Sequence, residues 1–196
     1  METGGLEQQQ FAWIESDDRF DLGFCLTMVA TDGCARVLDA FDAVEPRGTR
    51  RPEDQDFDDW LESLDDSDGP QMRHAGRAGG WTWVLEEITC AAARSPLPEQ
   101  LSAQFGRAIT VGWTVNLSSF FVESADGVIL RNFELGRSAE PGSEGIDGHL
   151  PSEEGLDWEQ WMSAGLCLQA RRANAVALPD GVVDTLISET CRFSLD

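Results

Sequence analysis

Acidic side chains dominate the residues that could do chemistry, and Asp54-x-Asp56-x-Asp58 is the densest of their patterns. Alternating aspartates open calcium loops of the EF-hand kind. Such loops also need glycine at the sixth position for the turn and glutamate at the twelfth for bidentate ligation. Counted from Asp54 those positions hold Asp59 and Asp65; counted so that Gly69 makes the turn, the first ligand is Leu64. The segment therefore reads as a solvated charge run. Two histidines, His74 and His149, fall in expected loops far in sequence from any cysteine, so no Cys–His nucleophile is signalled. There is no G-x-S-x-G elbow and no glycine run that would cradle phosphate. Glu86-Glu87, Glu123 and Glu134 are candidates for carboxylates paired on a sheet, where a shared site would raise one pKa for acid–base work. Strand-end glutamates on a solvated face are the plainer expectation. No catalytic residue, metal ligand or cofactor is assigned.

The pattern that suggests binding is different. Phe57, Trp60, Leu61 and Leu64 form an aromatic and aliphatic cluster inside the densest negative charge, among Asp56, Asp58, Asp59, Asp65 and Asp66. A short acidic-hydrophobic segment of this kind docks as a helix into a basic, grooved partner. The plainer alternative is that Trp60 folds back on its own domain.

Charge agrees with a basic partner. The 196 residues carry 36 acidic and 14 basic side chains, a formal net charge of −22. Such a surface repels phosphate backbones and anionic lipid, so direct nucleic-acid and membrane binding are disfavoured, and it speeds encounter with cations. Every basic residue is arginine, and lysine and tyrosine are absent, which suggests a GC-rich genome. The five cysteines (Cys25, Cys34, Cys90, Cys167, Cys191) are odd in number, widely spaced and mostly in apolar surroundings. They read as buried free thiols of a cytoplasmic protein. Met1–Gln10 has no basic n-region or apolar core, so it reads as a flexible leader and not a signal peptide.

A single α+β domain over residues 11–196 must position these groups. Phe24–Val29 is a continuous apolar run, hence a buried strand, followed by a helix from Gly33 whose stripe is Val37, Leu38 and Phe41. Residues 42–79 are charged and Pro/Gly-punctuated, and are expected to be a mobile acidic insertion. Trp81, Trp83 and Leu85 alternate with Thr82, Val84 and Glu86 as a strand; Pro98 opens a short helix ending at Gly106. Ile109, Val111, Trp113 and Val115 share one face of the next strand. Asp126-Gly127 then joins a hairpin, because glycine accepts positive φ. Residues 136–155 form a long loop, Asp157 opens a helix to about Arg172, and Pro179 opens a last short helix. The natural architecture is an antiparallel sheet of about four to five strands covered on one face by helices.

Three ordered blocks and the closing segment together resemble an uncharacterised actinobacterial family, streptomycete in type, known only as a domain of unknown function. The likeness lies in Phe24-Cys25-Leu26-Thr27-Met28-Val29 with its helix, in Gly80-Trp81-Thr82-Trp83-Val84-Leu85-Glu86-Glu87, in Gly112-Trp113-Thr114-Val115-Asn116 through Phe133-Glu134, and in Leu166 to Asp180. It implies a compact α+β domain and supplies no activity. The function expected from the residues is a non-enzymatic acidic protein that binds a basic protein partner, in the manner of an immunity or antitoxin-type inhibitor. The alternatives are a regulatory or scaffold interaction protein, a mimic of the DNA surface, and an enzyme whose site is built from scattered carboxylates.

Overall fold

The computed structural model describes residues 7–16, 20, 23–44, 49–50, 71–86, 90–114, 116, 118–135, 151–174 and 191–194. A 3-10 helix, Gln8–Ser16, leads into strand β1, Gly23–Val29, and helix α1, Cys34–Val44. Short β2, Thr49–Arg50, precedes β3, Gln71–Ala78, and β4, Trp81–Glu86. Helix α2, Leu97–Phe105, is followed by β5, Arg107–Thr114, β6, Ser119–Ala125, and β7, Val128–Phe133. Helix α3, Trp161–Ala173, and short β8, Cys191–Ser194, complete the described elements.

All strands join one antiparallel sheet in the order β2-β8-β3-β4-β1-β5-β6-β7. The sheet is wider than the sequence suggests, and helices cover both faces where cover on one is expected. The reason lies in β1. It sits between β4 and β5, and all seven of its residues are buried, so neither face can be left to water. Phe24, Leu26 and Met28 pack with Trp83, Leu85, Ile109, Val111 and Trp113 under α3 and the N-terminal 3-10 helix. Cys25 and Val29 pack on the other side with Val37, Leu38 and Phe41 of α1 and Leu97 and Leu101 of α2.

The first of these cores holds most of the tryptophans. Trp83 and Trp113 are fully buried, and Trp13, Trp81, Trp158 and Trp161 pack against them half-buried. Trp113 stacks on Phe24 with ring centroids 4.5 Å apart, meets Trp161 edge-on at 5.4 Å, and donates Nε1–H to the Phe20 carbonyl at 3.0 Å. Buried indoles usually find such an acceptor, which the Trp83 N–H lacks among the described residues.

Local signals behave as expected at the turns. Asp126 and Gly127 adopt φ of 49° and 81° and bring Ala125 opposite Val128. Gly106, at φ 90°, ends α2 and donates its N–H to Ser102. Asp157 accepts a hydrogen bond from the Glu159 N–H and opens the turn that leads into α3.

The charged region needs a correction. Within residues 42–79 the first residues complete α1 through Val44, Thr49–Arg50 form β2 and Gln71–Ala78 form β3, so the described parts of the expected insertion belong to regular elements. Gly79 and Gly80, at φ 58° and 84°, form a two-residue turn that sets Ala78 opposite Trp81. His74 consequently lies in a strand, buried, and not in a loop. Residues 45–48 and 51–70, the loop 136–150 and the Pro179 segment lie outside the described residues.

Candidate functional site

Two carboxylates that sequence places on a solvated face are fully buried: Glu86 and Glu123. They are also far from each other. Glu86 pairs across β1 with Cys25, on the side of α1 and α2, whereas Glu123 pairs with Ile109, on the side of α3. The sheet itself separates them, so they form no acid–base pair. Glu134 is exposed, and Glu87 lies outside the described residues.

Glu86 is held by donors from three directions. The N–H groups of Ala91 and Ala92, at the start of a 3-10 turn, donate to its two oxygens, each at 3.2 Å. Arg73, directly opposite on β3, donates Nε–H at 3.5 Å, and the Cys25 thiol donates at 3.4 Å. Arg73 is itself buried, with its guanidinium 5.4 Å from the centre of the Phe41 ring. A buried carboxylate is tolerated only with such partners. Glu86 thus pins the segment after β4 onto the second core.

Burial pushes the Cys25 thiol well above its ordinary pKa, and the hydrogen bond with Cys90 and the charge of Glu86 act in the same direction. Burial also raises Cys167, against the opposing charge of Arg171. Both remain thiols at neutral pH and are poor nucleophiles. Cys25, Cys90 and Cys167 are buried thiols outside any disulfide, and Cys34 is a half-buried one, which agrees with the sequence reading for these four.

Glu123 lies beneath two arginines. Arg107 of β5 donates Nε–H at 3.1 Å and also reaches it through Nη2; Arg172 of α3 donates Nε–H at 2.9 Å and Nη2–H at 2.8 Å. Burial by itself would raise the Glu123 pKa. The hydrogen bonds from Arg172 and Arg107 outweigh it and hold the carboxyl below the ordinary carboxylate range. Arg172 is in turn raised by its bond to Glu123. Beside this cluster Arg131 of β7 pairs with Glu153. An ionised carboxylate gripped in this way fastens α3 to the sheet. Sequence reasoning missed Arg73, Arg107 and Arg172, since their partners are remote in the chain.

The residues predicted to bind a partner, Phe57, Trp60, Leu61, Leu64, Asp56, Asp58, Asp59, Asp65 and Asp66, all lie outside the described residues. Among the described ones, the large apolar side chains left exposed are Val128 and Leu130, at 60% and 52%, both on β7. The described residues contain no group of three His, Cys, Asp or Glu placed to hold a metal ion, and no helix long and apolar enough to cross a membrane.

No curated protein and no solved structure matches the chain. One family model does, over residues 7–152, from the N-terminal 3-10 helix past β7. The first three blocks of the resemblance fall inside that match, and the closing segment from Leu166 lies beyond it. With most of its length so matched, the chain belongs to DUF6461, a family of unknown function.

Proposed function

We propose that this protein is a non-enzymatic acidic binder of a basic protein partner, of the immunity or antitoxin type, working in the cytoplasm of an actinobacterium. The carrying observation is where its positive charge goes. Net charge is −22, and four of the described arginines pair with internal carboxylates, Arg73 with Glu86, Arg107 and Arg172 with Glu123, Arg131 with Glu153, while Arg36, Arg77 and Arg94 are exposed. Acids still outnumber cations 36 to 14 over the chain, and a net field of that sign steers cationic surfaces inward. Free thiols and an all-arginine basic complement support the compartment and the origin.

In this reading Trp60 with Phe57, Leu61 and Leu64 is the anchor, and Asp56, Asp58, Asp59, Asp65 and Asp66 are the rim. Truncating a desolvated aromatic anchor costs about 2 kcal/mol or more. Rim charges act on association and are screened over about 8 Å at physiological salt. The test is binding kinetics against the partner recovered from native lysate. Trp60→Ala should speed release about thirtyfold at unchanged salt dependence; neutralising the five aspartates should slow association at low salt and flatten the salt slope. Association indifferent to salt in the unaltered protein would overturn the reading.

A further inference from the structure

β7 is the last strand in the sheet, so its outer edge pairs with no described strand. Unpaired edges are guarded by lysine, proline, charge, covering elements or a bulge, and of these the described part of β7 has a bulge and one inward-pointing charge. Val128–Phe133 has neither lysine nor proline, and its one charged side chain, Arg131, is buried against Glu153. The register steps from Glu123↔Arg131 to Ser124↔Ile129, which makes Leu130 the extra residue of a bulge. A bulge re-aims side chains, and here Leu130 is left exposed beside Val128. Exposed Asp126 lies at one end of this apolar strip and exposed Glu134 at the other.

We infer that the outer edge of β7 accepts an extended segment of the basic partner as an added strand, with apolar side chains over Val128 and Leu130 and a cation at Asp126. The inference rests on the basic-partner reading and gives it a docking surface on the folded domain. Strand addition draws affinity from main-chain hydrogen bonds and specificity from alternate side chains. A second copy of the chain fits poorly. Leu130 is midway between Asp126 and Glu134, so antiparallel self-pairing about it would set those acids against each other, in two chains each carrying −22. A segment alternating apolar and basic residues meets both the strip and the flanking charge.

The probe is a short, end-blocked peptide of alternating arginine and valine, titrated into the full isotope-labelled chain. A control peptide carries N-methyl groups on alternate amides and cannot pair as a strand. The peptide should shift the amide resonances of residues 126–134 and the control should not. Val128→Thr with Leu130→Thr, which keeps strand propensity, should weaken binding about tenfold or more at unchanged Tm. Asp126→Asn should weaken it at low salt. Equal binding of the control, shifts confined to other residues, or no binding at all would overturn the edge inference and leave the basic-partner reading standing. Edge binding that ignores salt would instead overturn that reading while the edge survives. A dimer in sedimentation that dissolves on the double substitution would assign the edge to a second copy and overturn the proposed occupant.

Discussion

Replacing Glu123 by glutamine tests the reasoning about the buried charge cluster. The change keeps shape and removes charge, so two guanidinium groups lose their shared carboxylate and face an amide NH2 where an oxygen stood. Breaking a buried ion pair from one side costs about 3–5 kcal/mol. Arg107 and Arg172 are 31% and 26% exposed, so water recovers part of their solvation. The expected loss is therefore about 2–3 kcal/mol. At roughly 2–4 °C per kcal/mol for a chain of this size, Tm should fall by about 4–12 °C. The pH dependence has a definite sign. Glu123 is held below the ordinary carboxylate range in the folded state. Its contribution is thus fully present above the unfolded value of about 4.3 and is lost as pH falls through the folded one. Thermal melts of Glu123→Gln and the unaltered chain should differ most near neutrality and converge in acid. A difference below about 2 °C at neutral pH, or one that widens as pH falls, would refute the account.

Two further outcomes follow from packing. A Cβ on Gly112 would overlap the Phe24 carbonyl and lie 2.7 Å from the Phe120 ring. Gly112→Ala should therefore lower the urea midpoint by the equivalent of about 1–3 kcal/mol or more, and an unchanged midpoint would show the strands to be further apart. Native labelling with a maleimide, mapped by mass spectrometry, should mark Cys34 well before Cys25, Cys90 or Cys167, since of these four only Cys34 is half-buried and the others are buried. Comparable rates for Cys25 and Cys34 would show that the second core opens readily.

Elements whose signals are local were legible. The apolar run of β1, the alternation of Trp81, Trp83 and Leu85, the Asp126-Gly127 turn and the Gly106 cap each follow from a few adjacent residues. β3 was not legible, because its signal lies in another strand. Arg73 and His74 make Gln71–Ala78 look solvated, yet Arg73 finds its counter-charge directly across the ladder in Glu86. The Gly79-Gly80 pair was the available clue, and the density of charge before it concealed it. Glu123 misled for the same reason: one of its partners, Arg172, is supplied by the distant helix α3. Carboxylates read as surface until the residue that neutralises them is brought near.

The position of β1 also sets the order in which the protein can assemble. The hairpins β3–β4, β5–β6 and β6–β7 close between neighbours in sequence, but β1, near the start of the chain, pairs only with β4 and β5. The strand at the middle of the sheet therefore depends on long-range closures, exceeded in span only by those of β8 with β2 and β3, and such closures slow folding. During synthesis, at about 5–20 residues per second, it waits on the order of seconds for its partners to leave the ribosome. Through that interval Gly23-Phe24-Cys25-Leu26-Thr27-Met28-Val29, dry on both faces in the finished protein, is open to water and to other nascent chains. The residues that anchor the native sheet are thus the ones a chaperone would have to shield first.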